Sequence, residues 1–102
     1  MLFDNGALDA TLAAAAGEDP SLLAELRAAY ADSVARQLDL LRRSRCDANW
    51  AIAALRLRGL AASFHAEELI KLADEALDSA PGEPVTLRRI DAYLKEYIAS
   101  GF

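Results

Sequence analysis

Apolar residues recur at intervals of three and four along nearly the whole chain, the period of one face of an α-helix. The longest row is Leu22, Leu26, Tyr30, Val34 (or Ser33), Leu38 and Leu41. It predicts a helix that starts near Pro20, where Asp19-Pro20 reads as an N-cap followed by a first-turn proline. The helix should end near Ser44, because Arg42, Arg43 and Arg45 suit the negative end of a helix dipole. Trp50, Ala54 (or Ala53), Leu57, Ala61 and Phe64 predict a helix over about 48–64, capped by Asp47. Leu69, Ile70, Ala73, Ala76 and Leu77 predict another over about 66–79, with Glu67, Glu68, Asp74 and Asp78 toward water and Pro81-Gly82 as its stop. Leu87, Ile90, Leu94, Tyr97 and Ile98 face inward on a last helix, from Val85 or Thr86 to Ser100, before the closing Gly101. Residues 6–16, built on Leu8 and Leu12, read as a short leading helix. The expected fold is all-α, an antiparallel four-helix bundle, as short connections favour, with the leading helix capping one end.

Composition agrees. A chain of 102 residues makes one small domain, 1–102. Ala (23) and Leu (17) outnumber Val, Ile and Thr, which total eight, so sandwiches, barrels and large parallel sheets are excluded. Cys46 is the only cysteine and His65 the only histidine. No disulfide framework or Cys/His zinc site is expected, and no cofactor. Cys46 reads as a small filler near a helix start, and Trp50 as core or bundle-end packing. No apolar run of about 18 residues is present, and the start MLFDNGALDA lacks the pattern of a signal peptide, so a cytoplasmic protein with no membrane contact is expected.

The net charge of −5 argues against nucleic-acid binding. Its distribution is uneven. Residues 1–35 carry Arg27 against six acids, −5; residues 36–58 carry six arginines against Asp39 and Asp47, +4; residues 59–86 carry Lys71 against six acids, −5; the remainder adds +1. A basic stretch between two acidic ones reads either as solvated helix faces or as a patch for an acidic partner.

Gly59 is the anomaly. It lies inside a strongly helical segment, where glycine costs about 1 kcal/mol relative to alanine. Close packing against a neighbouring helix is one reading, and approach of something from outside is the other. The helical phase favours the second. Gly59 is two residues from both Leu57 and Ala61, about 200° around the axis, so it points away from the core. Ile52, Leu55, Gly59 and Ala62 then form an outward apolar strip flanked by Arg56 and Arg58. A solvated helix face is normally polar, so the strip reads as a docking surface.

The segment Ala54-Leu55-Arg56-Leu57-Arg58-Gly59-Leu60-Ala61-Ala62-Ser63-Phe64 resembles the signature of histidine phosphotransfer (HPt) domains: His, any residue, an apolar residue, Lys or Arg, then Gly and small residues. Length, helix order and the acidic helix that follows are similar to that family across nearly the whole chain. The resemblance implies a helical bundle whose exposed histidine exchanges phosphate with receiver-domain aspartates. Under it, Leu57 takes the buried apolar position, Arg58 the cation that steadies the phosphoryl group, and Gly59 the small residue that admits the partner. Leu55 takes the acceptor position. Leucine has no lone pair and cannot form a phosphoramidate, so no catalytic residue is expected there. His65 stands where the family often has glycine, at the C′ position of the helix, which favours a left-handed backbone.

These readings make the chain a pseudo-HPt signalling protein of a bacterial two-component phosphorelay. It would bind a receiver domain or histidine kinase without carrying phosphate, as a monomer or weak dimer, and would not be an enzyme. Two alternatives are a helical dimerisation module built on Ile52, Leu55 and Gly59, and active phosphotransfer through His65. The carboxylates Glu67, Glu68, Asp74, Glu75 and Asp78 read as a solvated face with no nucleophile–base pair.

Overall fold

The computed structural model describes residues 5–100; the first four residues, the closing Gly101 and Phe102 lie outside them. Five helices make up the described chain: α1 Gly6–Ala16, α2 Pro20–Arg43, α3 Asp47–Ser63, α4 Glu67–Leu77 and α5 Pro84–Ala99. At 1.5 Å per residue, the 24 residues of α2 span roughly 36 Å, most of the molecule's 44 Å long dimension. α2 packs against α1, α3 and α5, while α4 packs against α3 and α5. The four longer-range partners α2, α3, α4 and α5 therefore close a cycle of neighbours, with α1 leaning on α2.

The inward rows fill the core. Leu38, Leu41, Leu57, Leu69 and Ile90 are almost wholly excluded from water, each worth about 1.5–3 kcal/mol relative to exposure. Trp50 is buried between α3 and α4, and its indole Nε1 donates to the Ala76 carbonyl at 2.7 Å. Tyr30 packs edge-on against Phe64 and Tyr97, with ring centroids 5.4 and 5.2 Å away. The Tyr93 hydroxyl donates to Asn5 Oδ1 at 3.2 Å. Its one proton is then committed, so it accepts from the Tyr30 hydroxyl at 2.8 Å.

Local signals explain the helix ends. Asp19 Oδ1 accepts from the backbone N–H groups of Ser21 and Leu22, and Pro20 follows at the first helical position. Glu83 does the same for α5 by accepting from Val85 N–H. α3 ends in a Schellman turn. The His65 N–H reaches the Ala62 carbonyl at 3.2 Å, the Ala66 N–H reaches the Ala61 carbonyl at 2.8 Å, and the two alanines are buried. His65 supplies the left-handed residue this turn needs, at φ 56°.

Five expectations are corrected. Asp47 is not the cap of α3; Cys46 holds that position without a side-chain cap, and Asp47 is the first helical residue, where its charge complements the dipole. Cys46 is consequently exposed rather than a filler. α4 is shorter than expected, with Ala66 as N-cap and Asp78 as C-cap, and α5 begins one residue earlier, at Pro84. Ile98 is 49% exposed rather than inward. The buried row of α5 is Thr86, Ile90, Tyr93, Leu94 and Tyr97, whose centre lies about 100° around the axis from Ile98. Leu72 likewise joins the buried row of α4.

Ion pairs lie over three of the four seams in the cycle. Arg42 Nη2 and Asp91 Oδ1 join α2 to α5 at 3.0 Å. Arg58 Nε and Asp74 Oδ1 join α3 to α4 at 2.7 Å. Arg89 Nη1 contacts both oxygens of Glu75 at 2.7 Å and joins α5 to α4. Asp91 also meets Lys95 at 2.8 Å. Hydrogen bonding from Lys95, then from Arg42, holds the Asp91 carboxyl below the usual aspartate value. Exposed pairs of this kind each contribute about 0–1 kcal/mol, so they tune the seams that apolar burial closes.

Candidate docking surface on α3

The side of α3 opposite its core row is the candidate site. Leu57, Ala54, Ala61 and Trp50 point inward and are buried. Ile52, Leu55, Arg56, Arg58, Gly59 and Ala62 are all exposed. Leu55 is 55% accessible and Ile52 49%, two of the four large apolar side chains that protrude from the described chain. Val85 and Ile98, the other two, lie on α5 and near its opposite ends. The apolar strip is thus localised on α3.

Gly59 lies one turn beyond Leu55 with its backbone uncovered. A Cβ built there meets nothing within 4 Å. No sister helix presses on it, which removes close intramolecular packing as its reason. Its carbonyl accepts from the Ser63 hydroxyl at 2.8 Å in addition to its place in the helix. The result is a flat spot bounded by Leu55 on one side and Ala62 on the other.

The two flanking arginines have different environments. Arg58 leans toward α4 and is held by Asp74. Helical spacing places Asp74 toward water; its role as a partner depends on how α4 sits against α3, which spacing along the chain does not encode. Arg56 leans the other way. It lines a groove of about 350 Å³ between α2 and α3, together with Leu40, Arg43, Ser44, Asn49 and Ile52. The sequence does not single out Leu40, Ser44 and Asn49 as lining a groove. Leu40 could have been noticed because it is apolar yet adjacent to Leu41 and so off the core row.

His65 is exposed, beyond the end of α3. Eight residues of α3, about 12 Å of rise, separate Leu55 from the helix end at Ser63, and His65 lies beyond it, so it does not share the strip. Among the described residues, no group of three His, Cys, Asp or Glu side chains is arranged to hold a metal ion, and no helix is long and apolar enough to cross a membrane. The arrangement offers an apolar contact area framed by cations and no nucleophile on it. No family model, curated protein or solved structure matches this chain.

Proposed function

We propose that the chain is a cytoplasmic pseudo-HPt protein, an antiparallel four-helix bundle with a leading helix, that docks a receiver domain or histidine kinase of a two-component phosphorelay through the outer face of α3. The observation that carries this reading is the exposed Leu55 standing one turn from the uncovered backbone of Gly59. In the resembled family that geometry presents a histidine to a partner's aspartate. Here the side chain at the centre is apolar and carries no electron pair to attack phosphorus. Burying Leu55 fully would favour association by about 1.5–3 kcal/mol before other costs, which suits a partner that is held rather than one that exchanges a group and leaves. The protein would then modulate a relay by occupancy and would not itself be an enzyme.

The direct test uses Leu55→His with purified phosphorylated receiver domains. Acid-labile phosphate appearing on the variant, and absent from the parent, supports the docking geometry. Failure of the parent to bind any receiver or kinase of its host overturns the reading. The exposure of Ile52 beside Leu55 favours one competitor, a dimer through the same strip. Sedimentation separates the two, because a tight dimer that covers Gly59 leaves no face for a receiver.

A further inference from the structure

Building on the docking reading of α3, we propose that the anion-recognising element of this protein is the seam between α2 and α3, which takes an acidic amphipathic segment of the protein partner, and that Arg58 does not perform this task. Among the described residues, α2–α3 is the one seam of the cycle that no ion pair crosses. Arginines approach it from both sides instead. Arg43 from α2 and Arg56 from α3 line the same groove, together with Leu40 and Ile52. Arg56 has no carboxylate partner among the described residues. Arg43 meets only Asp39, one turn back on its own helix, at 2.9 Å with both side chains well exposed. Such a pair is weak and readily exchanged. A second hollow, lined along α2 by Arg36 and Asp39, shares Leu40 and Arg43 with the groove. The groove itself is lined by two arginines and no acid, on a chain whose net charge is −5.

Two cations across an open groove repel, and a carboxylate placed between them relieves both. Arg58 differs in facing Asp74 across the α3–α4 seam at 2.7 Å rather than a second cation across an open groove. The apolar lining decides the class of ligand. Leu40 and Ile52 offer an apolar surface that a nucleic-acid backbone does not use, and the acidic remainder of the molecule repels a long polyanion. A protein segment with an apolar side chain flanked by Asp or Glu satisfies the apolar lining and the arginines together.

The test uses the full chain, isotopically labelled, and a synthetic peptide of repeating Leu and Glu as probe. Backbone amide shifts at Leu40, Arg43, Ile52 and Arg56 are expected. The double variant Arg43→Gln/Arg56→Gln should weaken binding about tenfold or more, and raising salt from about 50 to about 300 mM should weaken it as well. Arg58→Gln should change it less than about threefold, a ratio below the ordinary value of one charge-assisted hydrogen bond. Equal losses in the two variants, shifts confined to the α4 side, or no shifts at all would overturn the proposal. So would equal affinity for a single-stranded thymidine oligonucleotide. The same variants are then measured against a receiver domain that binds the parent. If receivers bind and the double variant matches the parent, the seam is refuted while docking on α3 stands. If the peptide binds at the seam and no receiver binds, the seam stands and the receiver is the wrong partner.

Discussion

The hydroxyl oxygens of Tyr30 and Tyr93 lie 2.8 Å apart in the core, and the second passes its proton on to Asn5. One side chain of α5 thereby ties α2 to the residue that leads into α1. Position in this relay sets the cost of breaking it. Tyr93→Phe strands both neighbours and should cost about 1–3 kcal/mol, the range for buried polar groups left without a partner. Tyr30→Phe removes only the first donor and leaves Tyr93 bonded to Asn5, so about 0.5–1.5 kcal/mol is expected. Urea midpoints of the two variants check the order; a Tyr30→Phe chain less stable than Tyr93→Phe contradicts it.

Stability should fall in alkali. All three tyrosines are buried, and burial pushes Tyr93 and Tyr97 up to about 12 and Tyr30 further in the same direction. The folded chain then keeps protons that the unfolded chain releases from pH 10 upward. The stabilisation is complete below that value and declines as pH rises through the folded values. Tyrosinate absorbance should therefore appear together with loss of helical circular dichroism, and not before it.

Acid acts through Asp91. Its carboxyl titrates below the ordinary aspartate value of 3.8 because of Lys95 and Arg42, so its contribution is present above that value and lost as pH falls through the lower, folded one. Asp91→Asn should flatten this part of the acid limb of a stability-against-pH curve. An unchanged slope would mean the pairs contribute nothing in solution.

Gly59 separates folding from docking. With open space at its Cβ position, Gly59→Ala should stabilise the chain by about 0.8–1 kcal/mol through helix propensity alone. Gly59→Leu should leave stability at or above that of the parent yet weaken partner binding by filling the flat spot. Thermal melts and a binding isotherm on the same samples decide the matter. Destabilisation by alanine would show that something in the fold leans on this backbone after all.

His65→Gly should also stabilise, by about 0.5–1 kcal/mol, since glycine adopts the left-handed C′ geometry without a Cβ conflict. A β-branched residue there should cost about 1 kcal/mol or more. Helix α3 is already closed by the Ala66 N–H to Ala61 bond, so neither change should alter the strip.

Much of this was legible along the chain. Pro20, the Pro81-Gly82 stop and the apolar rows located all five helices, and rotation of 100° per residue placed Leu55 and Gly59 on the outer face. Legibility failed where the phase of a helix against its neighbours matters. Tyr93 and Ile98 exchange roles because the row on α5 is centred on aromatic residues, and a tyrosine looks like an edge residue until its hydroxyl has a partner. Nothing along the chain singles out Asn5, which is buried where its acceptor serves a hydroxyl 88 positions away. The pairing of Arg58 with Asp74, and the groove shared by Arg43 and Arg56, require knowing how two helices lie side by side.

The indole of Trp50 gives the molecule an internal gauge. It is the only tryptophan, it is sealed on the inner face of α3, and its N–H is anchored to the backbone of α4. Light emitted from it senses loosening of that joint and is shielded from whatever settles on the outer face of the same helix. Changes at Leu55, Arg56 or Gly59 can therefore be scored for integrity in the very cuvette where a ligand is added, with one signal silent while the other moves.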